Sequence, residues 1–204
     1  SVPDSAYESF IPQGEKEGKE FYQFERLILQ MVVRYGEKHV CDAEGKNGET
    51  IGLSVIEYIE NDLKADDLAF HNPLHRKIFE EGVKQVKNSG FKAERFFISH
   101  PDPVIAKMCA ELASERYQLS KYHTKNQEIP SEERRSYEIT TMLLLNFKSA
   151  IVKEELKYIM KKLQDPATYN DVEKCNSIQS RYKELHNVLR ALEKQEGDRV
   201  IIPF

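Results

Sequence analysis

The chain has 204 residues, of which 40% are hydrophobic and 31% are charged. This composition is typical of a globular protein with one or two domains, and it excludes a disordered or fibrous one. Lys and Arg number 30 against 34 Asp and Glu, so the net charge is −4. An acidic balance argues against a surface whose main task is to neutralise a polyanion such as nucleic acid.

Cysteine usage and hydropathy favour a cytoplasmic protein. The three cysteines, Cys41, Cys109 and Cys175, are too far apart for a C-x-x-C metal pair, and their odd number does not suit a disulfide framework. The longest uncharged apolar run, Met142 to Leu145, is far shorter than the ~20 residues that a membrane span needs. Residues 1–19 carry glycines among charges and predict a linker, so we expect a segment of a longer protein.

Residues 20–129 predict a bundle of several short helices. Apolar residues recur at helical spacing from Phe21 to Tyr35, where Gly36 predicts a left-handed stop. A second amphipathic segment begins near Val55 and ends near the Asp66-Asp67 pair.

Two further helices of the bundle have clear start signals. Asn72-Pro73 and Asp102-Pro103 each place a capping residue before a proline at the first helical position. Between the helices, residues 37–52 predict a loop, and the segment with Phe96, Phe97 and Ile98 predicts a short aromatic connection. No strand longer than three or four residues is expected.

Residues 130–204 predict a long antiparallel helical hairpin with a short apolar tail. From Ser131 to Gln164 neither Gly nor Pro interrupts the sequence, which predicts a helix roughly 50 Å long. After Asp165-Pro166, a second helix capped by Asn170 or Thr168 is expected to run to Gly197. Taken in reverse order, the apolar positions of the two helices match about a centre at Ala167, as in a knobs-into-holes seam. The predicted class is therefore all-α, with a bundle followed by a hairpin.

The connected end of the hairpin holds the candidate binding residues. They are apolar residues flanked by two lysines: Ile159, Met160, Leu163, Tyr169, Val172, Lys161 and Lys162. One interpretation is a partner-binding surface; the alternative is that these residues simply close the end of the hairpin. Mixed charge elsewhere on the hairpin is typical of a solvated face.

The sequence contains no strong catalytic or metal-binding motif. His71 and His75 are four apart, but Asn72-Pro73 places His71 before the helix, so capping or solvated histidines are the alternative to metal ligands. Asp66 or Asp67 would complete such a site in a small metal-dependent enzyme. Cys109 and Cys175 are expected to be small buried apolar residues. No catalytic, cofactor-binding or metal-binding residue is assigned.

Several of these features together resemble the C-terminal, helicase-binding region of bacterial DNA primase of the DnaG type, especially its Bacteroides-like versions. The resemblance covers about residues 20–200. It rests on Phe24-Glu25-Arg26-Leu27-Ile28-Leu29, on Asp67 to Phe79 with its central Phe70-His71-Asn72-Pro73-Leu74-His75, and on the closing hairpin.

The resemblance implies a protein-binding module. In that family a helical bundle, which shares the fold of the N-terminal domain of the replicative helicase, is followed by a hairpin that docks on that helicase domain. Zinc and magnesium belong to other parts of the primase, so no cofactor and little nucleic-acid binding are expected here. The alternatives are the helicase's own N-terminal domain and the metal-dependent enzyme, and self-association through the hairpin is a further possibility.

Overall fold

The computed structural model describes residues 19–115 and 132–199, and in this part of the chain it is mainly helical, as predicted. The elements in chain order are α1 (Tyr22–Tyr35), β1 (His39–Glu44), β2 (Thr50–Ser54), α2 (Val55–Ala65), α3 (Pro73–Gln85), α4 (Ala93–Ile98), α5 (Pro103–Ser114), α6 (Glu132–Leu163), α7 (Pro166–Tyr169) and α8 (Val172–Arg199).

The chain folds into two compact units, and the boundary between them lies within α6, between Leu144 and Leu145. The boundary predicted at residues 129 and 130 lies outside the described residues, as do residues 1–18 of the predicted linker and the apolar tail from residue 200. The helical bundle belongs to the first unit and the hairpin core to the second.

Helix α1 is the centre of the first unit. It contacts α2, α3, α4 and α5, and Ile28, Leu29 and Val32 on it are fully buried. The predicted apolar periodicity is therefore confirmed as a core-facing stripe.

Gly36 follows α1 but does not form the left-handed stop that the sequence predicted. Its φ is −51°, in the right-handed helical region. A Cβ at this position would lie 2.3 Å from the Val32 carbonyl oxygen and 2.6 Å from Ile56 Cδ1. Glycine is therefore required here by close packing of α1 against α2, and the sequence pattern alone does not separate these two roles.

The loop predicted at residues 37–52 is wrong, because most of this segment forms an antiparallel β-hairpin. Strand β1 pairs with β2, with Cys41 opposite Leu53 and Glu44 opposite Thr50. At the turn, the Gly45 amide donates to the Glu49 carbonyl over 2.7 Å, and Gly48 adopts a φ of +80°. Most side chains of both strands are exposed or half-buried, so the segment lacks the alternation that identifies a strand.

Asx-Pro starts are confirmed at α3 and α5. The Asn72 side chain accepts from the amides of Leu74 and His75, and Asp102 accepts from Val104. The aromatic connection with Phe96, Phe97 and Ile98 is instead helix α4. Its first amide, that of Ala93, donates to Glu37 Oε2 over 3.2 Å, so a carboxylate distant in sequence provides the cap.

Helix α2 begins with a capping box that the sequence analysis did not identify. The Ser54 hydroxyl accepts from the Glu57 amide over 3.3 Å, and Glu57 Oε2 accepts from the Ser54 amide over 3.0 Å. Two backbone donors at the start of the helix are satisfied reciprocally.

In the second unit, α6 and α8 form the predicted hairpin. Five buried residues make its core, spaced by three or four within each helix: Val152, Leu156, Ile159, Leu185 and Leu189. Four partly buried residues pack against them: Leu163, Ile178, Tyr182 and Leu192. Across the seam, Arg181 Nε donates to Glu155 Oε1 over 3.0 Å.

The connection between the hairpin helices differs from its predicted form. Asp165 caps the single turn α7, and its side chain accepts from the Ala167 amide over 3.1 Å. Helix α8 then begins at Val172, where Asp171 accepts from the Lys174 amide over 3.1 Å. The predicted caps at Thr168 and Asn170 are thus replaced by Asp171, because Thr168 lies within α7 and Asn170 ends that turn.

Close packing at Gly36 is testable with two matched substitutions. We expect Gly36→Ala to destabilise the protein by about 1–3 kcal/mol, because the added Cβ overpacks a filled site. Gly197→Ala in α8, where nothing lies within 4 Å of an added Cβ, should cause no loss. Thermal unfolding followed by circular dichroism measures both; equal effects of the two variants would contradict the packing role.

Candidate functional site

The last turns of α6 expose apolar and basic side chains at the connected end of the hairpin. Met160 is 44% exposed and Tyr158 is 52% exposed. Lys161 and Lys162 are exposed beside them, and Lys162 Nζ lies 4.7 Å from the centre of the Tyr158 ring. Apolar side chains that stay exposed next to cations are a common feature of protein-binding surfaces.

Ile159 and Leu163 face the hairpin core, and the exposed residues Tyr158 and Met160 flank Ile159 on either side. Ile159 is only 6% exposed and belongs to the hairpin core, and Leu163 packs against that core. These two residues therefore close the end of the hairpin, the alternative that the sequence left open for the whole set.

The start of α8 contributes a second exposed apolar residue. Val172 is 71% exposed at the first position of the helix. Tyr169 lies in α7, but its side chain is outside the described part of the structure. The backbone amide and the Nζ of Lys174 both contact Asp171, and these contacts lower the pKa of the Asp171 carboxyl below its ordinary value.

Of the predicted interface residues, Met160, Val172 and the two lysines are thus exposed. Tyr158 was missed by the sequence analysis, although it is the third large apolar side chain exposed in this part of the hairpin. The signal that could have identified Tyr158 is its position one residue before the seam residue Ile159. Residues adjacent to a seam position in a helix point away from the seam.

The two candidate metal ligands His71 and His75 instead contact a buried carboxylate, that of Glu25. Glu25 and His75 are 0% exposed, and His71 is 6% exposed. His75 Nδ1 lies 2.7 Å from Glu25 Oε2, and His71 Nδ1 lies 3.6 Å from Glu25 Oε1. Aromatic rings cover both imidazoles, Phe21 against His71 and Tyr22 against His75.

Glu25 also binds the backbone just before α3. The His71 amide donates to Oε1, and the Asn72 amide donates to Oε2 over 3.2 Å. Burial opposes ionisation of Glu25, but the hydrogen bonds from the imidazoles and these amides outweigh it, so the pKa of the carboxyl falls below its ordinary value. This Glu25–His71–His75 cluster is the polar centre of the first unit.

Metal ligation by the remaining candidates has no geometric support. Asp66 and Asp67 follow the end of α2, and Asp67 adopts a φ of +53°. Within residues 19–115 and 132–199, no group of three or more His, Cys, Asp or Glu side chains is placed to hold a metal ion. In the same residues, no helix is long and apolar enough to cross a membrane.

Among the thiols, the buried apolar interpretation is confirmed for Cys109. Its side chain is fully buried in α5, and burial raises its pKa to about 12. Cys175 is half-buried in α8, where it accepts from Gln179 Nε2 over 3.5 Å. Of these two thiols, the expected burial is therefore confirmed for Cys109 and wrong for Cys175.

The fold and the exposed hairpin end define a helical protein with a candidate protein-binding surface. The chain belongs to the family described as a domain of unknown function, DUF8430, whose model matches residues 13–200. No curated protein and no solved structure matches the chain.

The Glu25 cluster can be tested by removing its charge. We expect Glu25→Gln to lower the free energy of unfolding by on the order of 3 kcal/mol, because an amide group would then face the buried donors of His75 and Asn72. Urea unfolding at neutral pH measures this loss. Glu80→Gln, on the exposed side of α3, is the control and should change stability by less than about 0.5 kcal/mol.

A comparison of wild type with Glu25→Gln also predicts how the free energy of unfolding depends on pH. Because the folded protein lowers the pKa of Glu25, the ionised carboxylate stabilises the fold above the ordinary carboxyl pKa, and this contribution is lost as the pH falls. The difference between wild type and Glu25→Gln should therefore be largest near pH ~7 and shrink towards pH ~3. A difference that grows on acidification would contradict an ionised Glu25.

A second test separates the closing residue Ile159 from the exposed residue Val172. Ile159→Ala should destabilise the hairpin by about 2–4 kcal/mol, because it leaves a cavity in the core. Val172→Ala removes a largely solvated side chain and should change the same quantity by less than about 0.5 kcal/mol. Hydrogen exchange of the α6 and α8 amides reports both, and equal protection in the two variants would contradict the assignment.

Proposed function

We propose that this chain is the helicase-binding region of a bacterial DNA primase, which recruits the primase to the replicative helicase for RNA primer synthesis during DNA replication. The proposed setting is the cytoplasm, and primer synthesis itself is assigned to other parts of the primase. The single observation that carries the proposal is the exposure of Met160 and Val172 at the connected end of the hairpin.

Packing within the hairpin supports this assignment of the surface. The core residues use one face of each helix, and Met160 and Val172 are not among them. A large part of the apolar surface of these two side chains therefore stays exposed to solvent when the hairpin folds. Burying each of them against a partner would add roughly 1.5–3 kcal/mol of favourable free energy. A few such anchors are enough to dominate the energetics of a protein interface.

Charge around these anchors supports a protein partner as well. Lys161 has no charged partner among the described residues, and Lys162 lies over the Tyr158 ring. Exposed cations at the rim of an interface raise the rate of encounter with an acidic surface more than they slow dissociation. The proposed partner surface is therefore an apolar pocket with acidic residues at its edge.

The proposal also rests on the resemblance of two sequence regions to that primase family. In the structure, both regions contribute residues to the Glu25–His71–His75 cluster: Glu25 comes from the first region, and the two histidines come from the second. The resemblance thus coincides with residues that meet in space, as expected for a pattern that reflects one fold.

A charged substitution at Met160 tests the proposal. We expect Met160→Asp to abolish co-elution with the replicative helicase of the same organism in size-exclusion chromatography, because the carboxylate cannot enter an apolar pocket without a large desolvation cost. The loss should be at least 100-fold in affinity, or about 2.7 kcal/mol. Circular dichroism should show unchanged helicity.

A matched control is available on the first unit. Val104 is 57% exposed near the start of α5, so Val104→Asp adds the same charge at an exposed apolar position outside the hairpin. It should leave co-elution unchanged. Co-elution that persists in Met160→Asp would exclude this surface, and no complex with the wild-type chain would exclude the proposed function.

A further inference from the structure

A solvent-open groove of about 620 Å³ lies in the first unit, between the end of α1 and the helix α4. Among the described residues, those that line it belong to two short segments, 34–38 and 92–99. The volume is within the range of sites that bind small molecules or a few side chains of a peptide.

The two walls of the groove are held together by specific contacts. Glu37 Oε2 accepts from the Ala93 amide over 3.2 Å, and Glu37 Oε1 lies 3.5 Å from Lys92 Nζ. The absence of a side chain at Gly36 lets the walls approach, because a Cβ there would lie 3.0 Å from that of Ala93. The groove is therefore built into the fold of the first unit.

Apolar and basic groups alternate along the groove. The Tyr35 ring lies between two cations, 5.5 Å from the Arg34 guanidinium and 5.1 Å from Lys38 Nζ, and Ile98 is 43% exposed. Arg95 is exposed and has no charged partner among the described residues. A ligand can thus find both an apolar contact and an unpaired guanidinium here.

Charge favours an acidic ligand. Four cationic residues and two carboxylates line the groove, and Lys38 Nζ pairs with Glu132 Oε1 over 2.6 Å, so the local charge is +1 in a chain of net charge −4. Such a reversal of sign concentrates anionic ligands at the groove and accelerates their encounter with it.

The two carboxylates of the groove, Glu37 and Glu94, favour an acidic peptide over a nucleic-acid strand as the anionic ligand. A nucleic-acid strand places a negative charge at every nucleotide and would bring phosphates against both carboxylates. A peptide can place its carboxylates at Arg34 and Arg95 and a neutral residue beside Glu94. We propose that the groove binds a short acidic peptide segment of a partner protein, with one aromatic or aliphatic side chain on Tyr35 and Ile98.

Titration of the full chain with a fluorescein-labelled peptide in which neutral residues separate the carboxylates, Asp-Gly-Phe-Ser-Asp-Gly, tests this proposal by fluorescence anisotropy. Arg95→Glu should weaken binding about tenfold, because it replaces an attraction by a repulsion, and Ile98→Ser should weaken it about threefold. Lys107→Glu makes the same charge reversal at an exposed position on α5 outside the groove and should change the affinity less than twofold.

Location and ligand class are tested in the same experiment. Amide chemical shifts of residues 34–38 and 92–99 should change on titration with the peptide, and oligo(dT) should not compete for binding. Competition by oligo(dT) with the same loss in Arg95→Glu would make the groove a nucleic-acid site, and absence of peptide binding, or equal binding by wild type and Arg95→Glu, would overturn the proposal. The hairpin is not involved, so either result is independent of helicase binding.

Discussion

A single buried carboxylate links the central helix of the first unit to the segment that starts α3. Glu25 is fully buried, and its two oxygens contact two imidazoles and two backbone amides. A buried charge is tolerated only when such donors replace its hydration, so the position of α1 and the path of the chain before α3 depend on each other. The apolar contacts of α1 with its neighbouring helices are made around this polar centre.

In the hairpin, neighbouring residues of one helix turn have separate roles. Ile159 is buried in the seam, whereas Tyr158 and Met160 on either side of it are exposed. Folding of the hairpin therefore uses one face of α6 and leaves Met160, a residue of the proposed interface, exposed. Consequently a substitution at Met160 should leave the hairpin closed.

Helices and their starts could be predicted from the sequence because local patterns determine them. The stripe on α1 and the Asx-Pro caps of α3 and α5 need only periodicity and capping chemistry, and all three are confirmed. The hairpin seam was predictable for the same reason. The β-hairpin could not be predicted, because most of its side chains are exposed or half-buried and its two strands pair through backbone hydrogen bonds.

Contacts between residues that are distant in sequence could not be predicted either, because local patterns carry no information about them. Glu37 caps α4 across 56 positions of sequence, and Glu25 meets His75 across 50. One signal was present for Glu25: it occupies the buried face of α1, three and four residues before Ile28 and Leu29. At the proposed interface the sequence grouped Ile159 with Met160, and the structure separates them, because Ile159 packs in the hairpin core and Met160 is exposed.

The short turn α7 has a consequence for how the hairpin helices align. Asp165 and Pro166 start α7 at a defined residue, and Asp171 fixes the start of α8, so the number of residues between the two long helices is set by local chemistry. Because burial of Leu185 and Leu189 fixes the rotation of α8, an extra residue in this connection would have to be accommodated in the turn, at the expense of the Asp165 or Asp171 cap. A change of length here would therefore disturb the caps at the surface and leave the buried seam in register.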